Sequence, residues 1–192
     1  PNFISKEFLR NGYGIVQESE STIARIPDPS LLPTHTSEVI CVRVKSAEIP
    51  TVLPHIFRIA SVSFRDTPFF FSIGFDEFCF HFAHYSDNIE HSLLFVARFE
   101  NEIIGFLLGY RSPEAKPPGV IAKTMAILPE FRHAGVGGML FNLFYTHAIA
   151  AGFENVYYST MQKNNSNIHK LTSFDGSTTQ CIRTYGLFEK RL

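Results

Sequence analysis

An α/β fold is predicted for this chain of 192 residues, and three observations carry the prediction. Apolar runs that alternate with a two-residue period take turns with stretches whose apolar positions recur at three and four residues, the mark of strands and helices in succession. One strand, Val120 to Leu128, breaks at Pro129 and re-enters a helix through Gly135, Gly137 and Gly138. A hydrophobic content of 45% with 20 phenylalanines supplies a single core, and a chain of this size buries about 70% of the surface exposed on unfolding.

The elements follow in order. Residues 1–37 hold Pro27, Pro29, Pro33 and a polar Glu18 to Thr22 run, which predicts an N-terminal extension with at most a short strand or hairpin around Tyr13 to Ile26. Residues 38–192 form the main domain. The β-branched alternation from Val39 to Val44 predicts its first core strand. Thr51 then stands as the cap of a helix carrying Leu53, Ile56, Phe57, Ala60 and Phe64 on one face, and Pro54 is tolerated as a first-turn residue. A second helix begins near Phe75, with Asp76 and Glu77 in its first turn and Phe78, Cys79 and Phe82 at helical spacing. His91 to Phe99 and Ile103 to Tyr110 read as a hairpin joined across Glu100-Asn101-Glu102. Ser112 to Gly119 is a proline-rich loop leading to the strand at Val120.

Beyond the glycines a helix runs from about Val136 to Ala151, with Met139, Leu140, Leu143, Phe144, His147, Ala148 and Ala151 on one face. Gly152 stands where a left-handed C-terminal cap belongs. Asn155 to Met161 is a strand, Asn164 or Asn165 caps a short helix ending at Asp175-Gly176, and Thr178 to Leu192 supplies the last strand or two.

The chemistry centres on Met125 to Leu140. Glycine admits backbone conformations and close approaches that a Cβ forbids. The first amides of the following helix lack intrahelical partners at the positive end of its dipole, so this turn suits a phosphate. It is not Walker A, since no lysine follows Gly137 or Gly138, and not a dinucleotide Gly-x-Gly-x-x-Gly, which would place glycine at Leu140.

What remains, Arg132-x-x-Gly135-x-Gly137 directly behind Leu128-Pro129-Glu130-Phe131, closely resembles the pyrophosphate signature of the GNAT superfamily of acyl-CoA-dependent N-acyltransferases. Met125-Ala126-Ile127-Leu128-Pro129-Glu130-Phe131-Arg132 resembles that family's strand-to-loop passage in order, and the element order over about residues 38–192 is similar. The resemblance implies a GNAT-like fold, a central splayed mixed β-sheet flanked by helices, with a V-shaped slot between the strand before the loop and the strand after the long helix. It further implies an N-acetyltransferase using acetyl-CoA or another acyl-CoA as cosubstrate. The backbone of Met125, Ala126 and Ile127 would hold the thioester and the pantetheine amides. Arg132, His133, Ala134, Gly135, Val136, Gly137 and Gly138 would hold the pyrophosphate, and Asn165 would touch the pantetheine arm. Arg132 reads equally as a solvated surface arginine, and His133 as an exposed loop residue.

The family's catalytic groups are matched poorly. A glutamate frequent four residues before the Met125 position is Ile121 here. The tyrosine of Leu-Tyr-Glu-Lys falls on Thr172 in Leu171-Thr172-Ser173-Phe174, whose hydroxyl is far too weak an acid to replace a phenol. The catalytic residues stay open. Tyr157, Tyr158 and Tyr185 are candidates for the acid, unless the thiolate leaves unaided, as a good leaving group can. His81 and His84, a helical turn apart, are candidates for acid and base work, against the plainer reading of polar tips on a phenylalanine-rich helix. Lys123 acts as a base only with a depressed pKa. Tyr157 and Tyr158 must point to opposite faces of their strand.

Charged residues at 18% and a net charge of -1 point away from nucleic acid and membrane partners. The expected partner is a small-molecule or peptide amine attacking the thioester directly; the abundance of phenylalanine at 69 to 82 would suit an apolar acceptor or a homodimer contact, against the plainer reading of core packing. The alternative is a catalytically weak acyl-CoA-binding or regulatory module, suggested by the missing glutamate and tyrosine; a third reading, a domain of a larger synthase or modifying protein, is suggested only by the chain's opening on Pro1 rather than methionine. Cys41, Cys79 and Cys181 read as reduced core thiols, with no metal spacing, and the expected compartment is cytoplasmic.

Overall fold

The computed structural model describes residues 2–31, 38–67, 71–86, 92–163 and 179–190. Their elements are α1 (Asn2–Arg10), β1 (Gly14–Arg25), β2 (Val39–Arg43), α2 (Ile49–Ser63), α3 (Phe75–Ser86), β3 (Ser92–Phe99), β4 (Glu102–Ser112), β5 (Gly119–Ile127), α4 (Val136–Ala150), β6 (Asn155–Gln162) and β7 (Gln180–Glu189). Seven strands form one mixed sheet in the order β2-β3-β4-β5-β6-β1-β7, antiparallel except where β5 meets β6.

Helices cover both faces. α2 sends the fully buried Ile56 and Ile59 onto β4 and β5, while α4 lies across β2 to β5 on the other side. Gly109 shows how closely: a Cβ there would stand 2.5 Å from Phe144 Cε2, so only glycine lets the ring settle on the sheet. Phe144 and Tyr145 are completely buried, and truncating such a ring costs about 3–5 kcal/mol.

The N-terminal segment is more than an extension with a short strand. It carries a helix and a 12-residue strand lodged between β6 and β7. Alternating burial holds β1 there: Ser19, Ser21 and Ala24 are buried while Glu18 and Arg25 face water. The polar run Glu18 to Thr22 hid this strand, because its buried residues are mostly small hydroxyls rather than aliphatics.

Among the described residues local signals otherwise hold, with three shifts; the short helix expected from Asn164 or Asn165 to Asp175-Gly176 lies outside those residues. α2 starts at Ile49, two residues before Thr51, because a 3-10 turn at Ser46–Glu48 feeds it and the Glu48 carboxylate accepts the Lys45 amide at 2.8 Å. Pro54 therefore lies beyond the first turn, on an exposed face where water can serve the carbonyl that loses its helical donor. β2 is an edge strand paired only with β3, with Ile40 64% exposed. On α4 the buried face is rotated to include Val136, Phe141 and Tyr145, since the 3-10 turn Pro29–Leu31 also packs on it and Asn142 Nδ2 donates to the Pro29 carbonyl at 2.7 Å. An almost uniformly apolar helix has no face that periodicity alone can pick out.

The hairpin turns at Glu100, φ 53°. α4 ends as expected, with Phe153 N–H on the Ala148 carbonyl at 3.1 Å and Gly152 N–H on Ile149 at 2.8 Å, the paired bonds of a Schellman cap. Among the described residues, no helix is long and apolar enough to cross a membrane.

Candidate functional site

β5 and β6 pair only at Val120↔Val156, Ile121↔Tyr157 and Ala122↔Tyr158. Beyond that level β5 stays on β4 as far as Ile127, and β6 stays on β1 as far as Gln162, so the two strands diverge. Each carries a bulge where the divergence begins. On β5, Lys123 is the extra residue as the register passes from Gly109↔Ala122 to Leu108↔Thr124. On β6, Ser159 and Thr160 together oppose Ser21, between Thr22↔Tyr158 and Glu20↔Met161. A bulge bends the strand that bears it, and two at one level open the slot.

The wall of this slot presents backbone groups. Leu128 N–H donates to the Ile104 carbonyl at 2.9 Å, which with the pairings Gly105↔Ile127, Phe106↔Ala126 and Leu107↔Met125 sets the phase of the antiparallel ladder. Ala126 directs its amide and carbonyl at β4, while Met125 and Ile127 direct theirs away from it, into the slot. Ala126, expected with Met125 and Ile127 as a backbone ligand, is therefore taken by the sheet. The Ile127 carbonyl is also engaged, by Ser63 Oγ at 3.1 Å and Arg132 Nε at 3.3 Å. Met125 N–H and C=O and Ile127 N–H remain directed at the slot.

The slot runs to the glycine turn. Pro129–Phe131 makes one 3-10 turn, and Gly135, at φ 74°, opens α4 in the left-handed region that suits glycine. The first helical bond runs from Met139 N–H to the Gly135 carbonyl at 3.2 Å, so the amides of Val136, Gly137 and Gly138 have no intrahelical acceptor. All three residues are buried, where an amide needs a partner, and they lie at the positive helix end. They fit a pyrophosphate without a lysine. His133 and Ala134 are exposed in the turn, and the Ala134 amide is bonded to the Phe131 carbonyl at 3.2 Å. Arg132, expected either on phosphate or free in solvent, reaches back: Nε to Ile127 and an Nη to the Ser63 carbonyl, each at 3.3 Å. Its guanidinium ties the turn to the ends of β5 and α2.

A profile of the acetyltransferase (GNAT) family matches residues 56–173, more than half of the chain and all of the slot and turn. The chain belongs to the GNAT acetyltransferase family. Solved structures agree on the fold. A GCN5-related N-acetyltransferase from Sphaerobacter thermophilus superposes with a TM-score of 0.70 at 14% identity, over 98% of this chain and 56% of that one. This chain thus spans little more than half of that protein's length. An aminoglycoside acetyltransferase from an uncultured soil metagenomic sample, in complex with sisomicin, gives 0.57 at 22% identity over 79% and 97%. AAC(6')-Iy, in complex with the bisubstrate analog CoA-S-monomethyl-acetylneamine, gives 0.57 at 18% over 81% and 100%. No curated protein sequence matches the chain.

Within this GNAT frame the candidate side chains separate. Tyr158 is buried on the α4 face, its hydroxyl 2.7 Å from that of Tyr145. Tyr157 points to the opposite face, as alternation requires, and donates to the Pro117 carbonyl at 2.7 Å; desolvation raises its pKa. Tyr185 is 39% exposed on β7 with its hydroxyl 3.3 Å from Ser21 Oγ. Its pKa is lowered by that hydrogen bond first, with Arg183 and Lys123 adding positive charge. His81 is exposed on α3, 3.8 Å from Glu77, with no contact to the slot among its described partners. His84 lies on α3, its side chain outside the described residues, as are Asn165 and Thr172. Ile121 is half-buried against its parallel partner Tyr157.

Ser63 and Ser21 were missed in the sequence. Ser63 holds the end of β5 and Ser21 holds the bulge of β6, and neither lies in a motif, because their partners are distant in the chain. Of the cysteines, Cys181 is exposed rather than a core thiol, while Cys41 and Cys79 are half-buried; burial pushes the Cys41 thiol up to about 11.

Proposed function

We propose that this chain is an acyl-CoA-dependent N-acyltransferase that transfers acetyl from acetyl-CoA to a primary amine of a small molecule or peptide by direct attack. The observation that carries the reading is the slot itself: the backbone edge of Met125 and Ile127, exposed where two bulges part β5 from β6, leads to the unpaired amides of Val136, Gly137 and Gly138. A pantetheine arm can extend along the first while its pyrophosphate takes the second. Acetyl-CoA would supply an activated acyl group, and every other function falls to the chain.

In that step the amine nitrogen bonds to the thioester carbon, the carbon–sulfur bond breaks, and the products are the amide and the free thiol. The amine proton passes to solvent or a base, and the departing sulfur takes up a proton. A slot-facing amide of β5 stabilises charge on the carbonyl oxygen, a contribution of about 3 kcal/mol for a well-placed donor. Tyr185 is the candidate we assign to protonating the sulfur. It alone among the three tyrosines combines access to solvent with a pKa moved toward neutrality, and Lys123, whose charge bears on it, sits at the bulge where the slot opens.

An acyl-CoA-binding module without turnover is the second reading, favoured by the apolar Ile121 at the position of a frequent base. One experiment addresses both. Acetyl-CoA should raise Tm as its concentration exceeds Kd, and mass spectrometry of an amine panel should find an acetylated product. A raised Tm with no product from any amine would leave only the second reading, and an unmoved Tm would remove both.

A further inference from the structure

A cavity of about 240 Å³ lies between α2, α3 and the sheet. Phe57, Phe64, Phe78, Phe82 and Phe106 contribute to its lining, and among the described residues no charged residue does. The rings pack on one another, Phe57 to Phe78 at 5.3 Å and Phe78 to Phe82 at 5.8 Å between centroids. The wall on the sheet side includes Thr124, the residue before Met125, so this cavity adjoins the strand whose backbone edge faces the slot. Phe71, 77% exposed, also belongs to the lining, an apolar ring that gains by being covered.

We propose that the acyl acceptor is a small primary amine bearing an uncharged apolar group, and that this group occupies the cavity with the amine directed at the slot. The inference rests on the transferase reading. Size and polarity select the class. A cavity of about 150 Å³ lined by Leu, Ile and Phe stays dry and takes up benzene, so this one accommodates a ring with a short chain. A polycationic acceptor would bury ammonium groups here with no carboxylate among the described lining residues, which is strongly unfavourable. Aminoglycosides, the substrates in the name of the soil metagenomic neighbour, are therefore poor candidates. Apolar surroundings also favour the neutral amine, the form that attacks.

The test compares thiol release from acetyl-CoA with 2-phenylethylamine, ethylamine, spermidine, kanamycin and an alanyl peptide, in the parent chain and in Ala60→Leu. Ala60 lines the cavity from α2, and leucine fills space there while keeping good helix propensity. One methylene in an apolar pocket changes kcat/KM by roughly 10-fold or more. The expected kcat/KM for 2-phenylethylamine therefore exceeds that for ethylamine by about 100-fold or more, and Ala60→Leu lowers this ratio at least about 10-fold while acetyl-CoA still raises Tm. Preference for kanamycin, spermidine or the peptide would overturn the proposal, as would an unchanged ratio in Ala60→Leu. Faster transfer from hexanoyl-CoA than from acetyl-CoA, abolished by Ala60→Leu, would also overturn it by giving the cavity to the acyl chain. Binding is read separately, by NMR saturation transfer to 2-phenylethylamine. If acetyl-CoA does not bind, the transferase reading fails alone, and the cavity is upheld by a signal that Ala60→Leu removes and overturned by no signal.

Discussion

Ser21 on β1 and Thr160 on β6 are joined by a hydrogen bond of 3.1 Å from the Thr160 amide to the Ser21 hydroxyl, at the point where β6 leaves β5. Thr160 sits at φ 53°, a conformation that costs an L-residue roughly 1–2 kcal/mol. The same Ser21 hydroxyl lies 3.3 Å from Tyr185 Oη. One buried serine thus holds the bulge that opens the slot and contacts the phenol assigned to proton transfer.

Replacing Ser21 by alanine leaves the Thr160 amide without its acceptor and should destabilise the fold by about 1–3 kcal/mol. Thr160→Gly should act in the other direction, stabilising by roughly 1 kcal/mol as the left-handed conformation becomes unstrained. Urea denaturation of both variants measures this. Equal midpoints for Ser21→Ala and the parent would show that the bulge does not depend on this bond.

Gly137→Asp should abolish the rise in Tm caused by acetyl-CoA, because a carboxylate would stand among the amides offered to the pyrophosphate and repel it. Circular dichroism establishes that the variant is folded. A folded Gly137→Asp chain with the parent's shift would show that the pyrophosphate lies elsewhere.

Tyr185→Phe should lower kcat with the best amine by about 100-fold at saturating acetyl-CoA. An acid must hold its proton to donate it, so kcat should fall as pH rises through the phenol's pKa. That pKa is lowered, so the fall should lie below the ordinary phenol value of about 10, and the limb should vanish in Tyr185→Phe. A variant that keeps both the rate and the limb would exclude Tyr185 from proton transfer.

The cysteines should take no part in transfer. With Cys41 at about 11, roughly a thousandth of it is thiolate at pH 8, and only thiolate reacts. Iodoacetamide at that pH should therefore modify exposed Cys181 well before Cys41, as peptide mass spectrometry would resolve. After incubation with acetyl-CoA, the intact mass should be unchanged; a hydroxylamine-labile acetyl adduct would indicate a covalent route instead.

Much of the site was legible in the sequence because it is local. Gly135 at the left-handed start of α4, the break at Pro129, the Gly152 cap and the alternation that sends Tyr157 and Tyr158 to opposite faces are all decided within a few residues. So was the family, since Arg132-x-x-Gly135-x-Gly137 and its flanks are contiguous. The periodicity of α2, α3 and the β3–β4 hairpin located those elements, with the start of α2 displaced by a 3-10 turn that Thr51 did not announce.

The tertiary structure decided what depends on partners far apart in the chain. β1 is an interior strand because small buried hydroxyls at Ser19 and Ser21 find β6 and β7, contacts across more than a hundred residues that no local pattern encodes. Arg132, though exposed, bends back on its own turn because Ser63 and Ile127 offer carbonyls. Tyr185 is distinguished from Tyr157 and Tyr158 only by Ser21, Arg183 and Lys123 around it. The opening of the slot needs bulges on β5 and β6 at one level, and a bulge is a property of the register between two strands, which neither strand's residues specify alone.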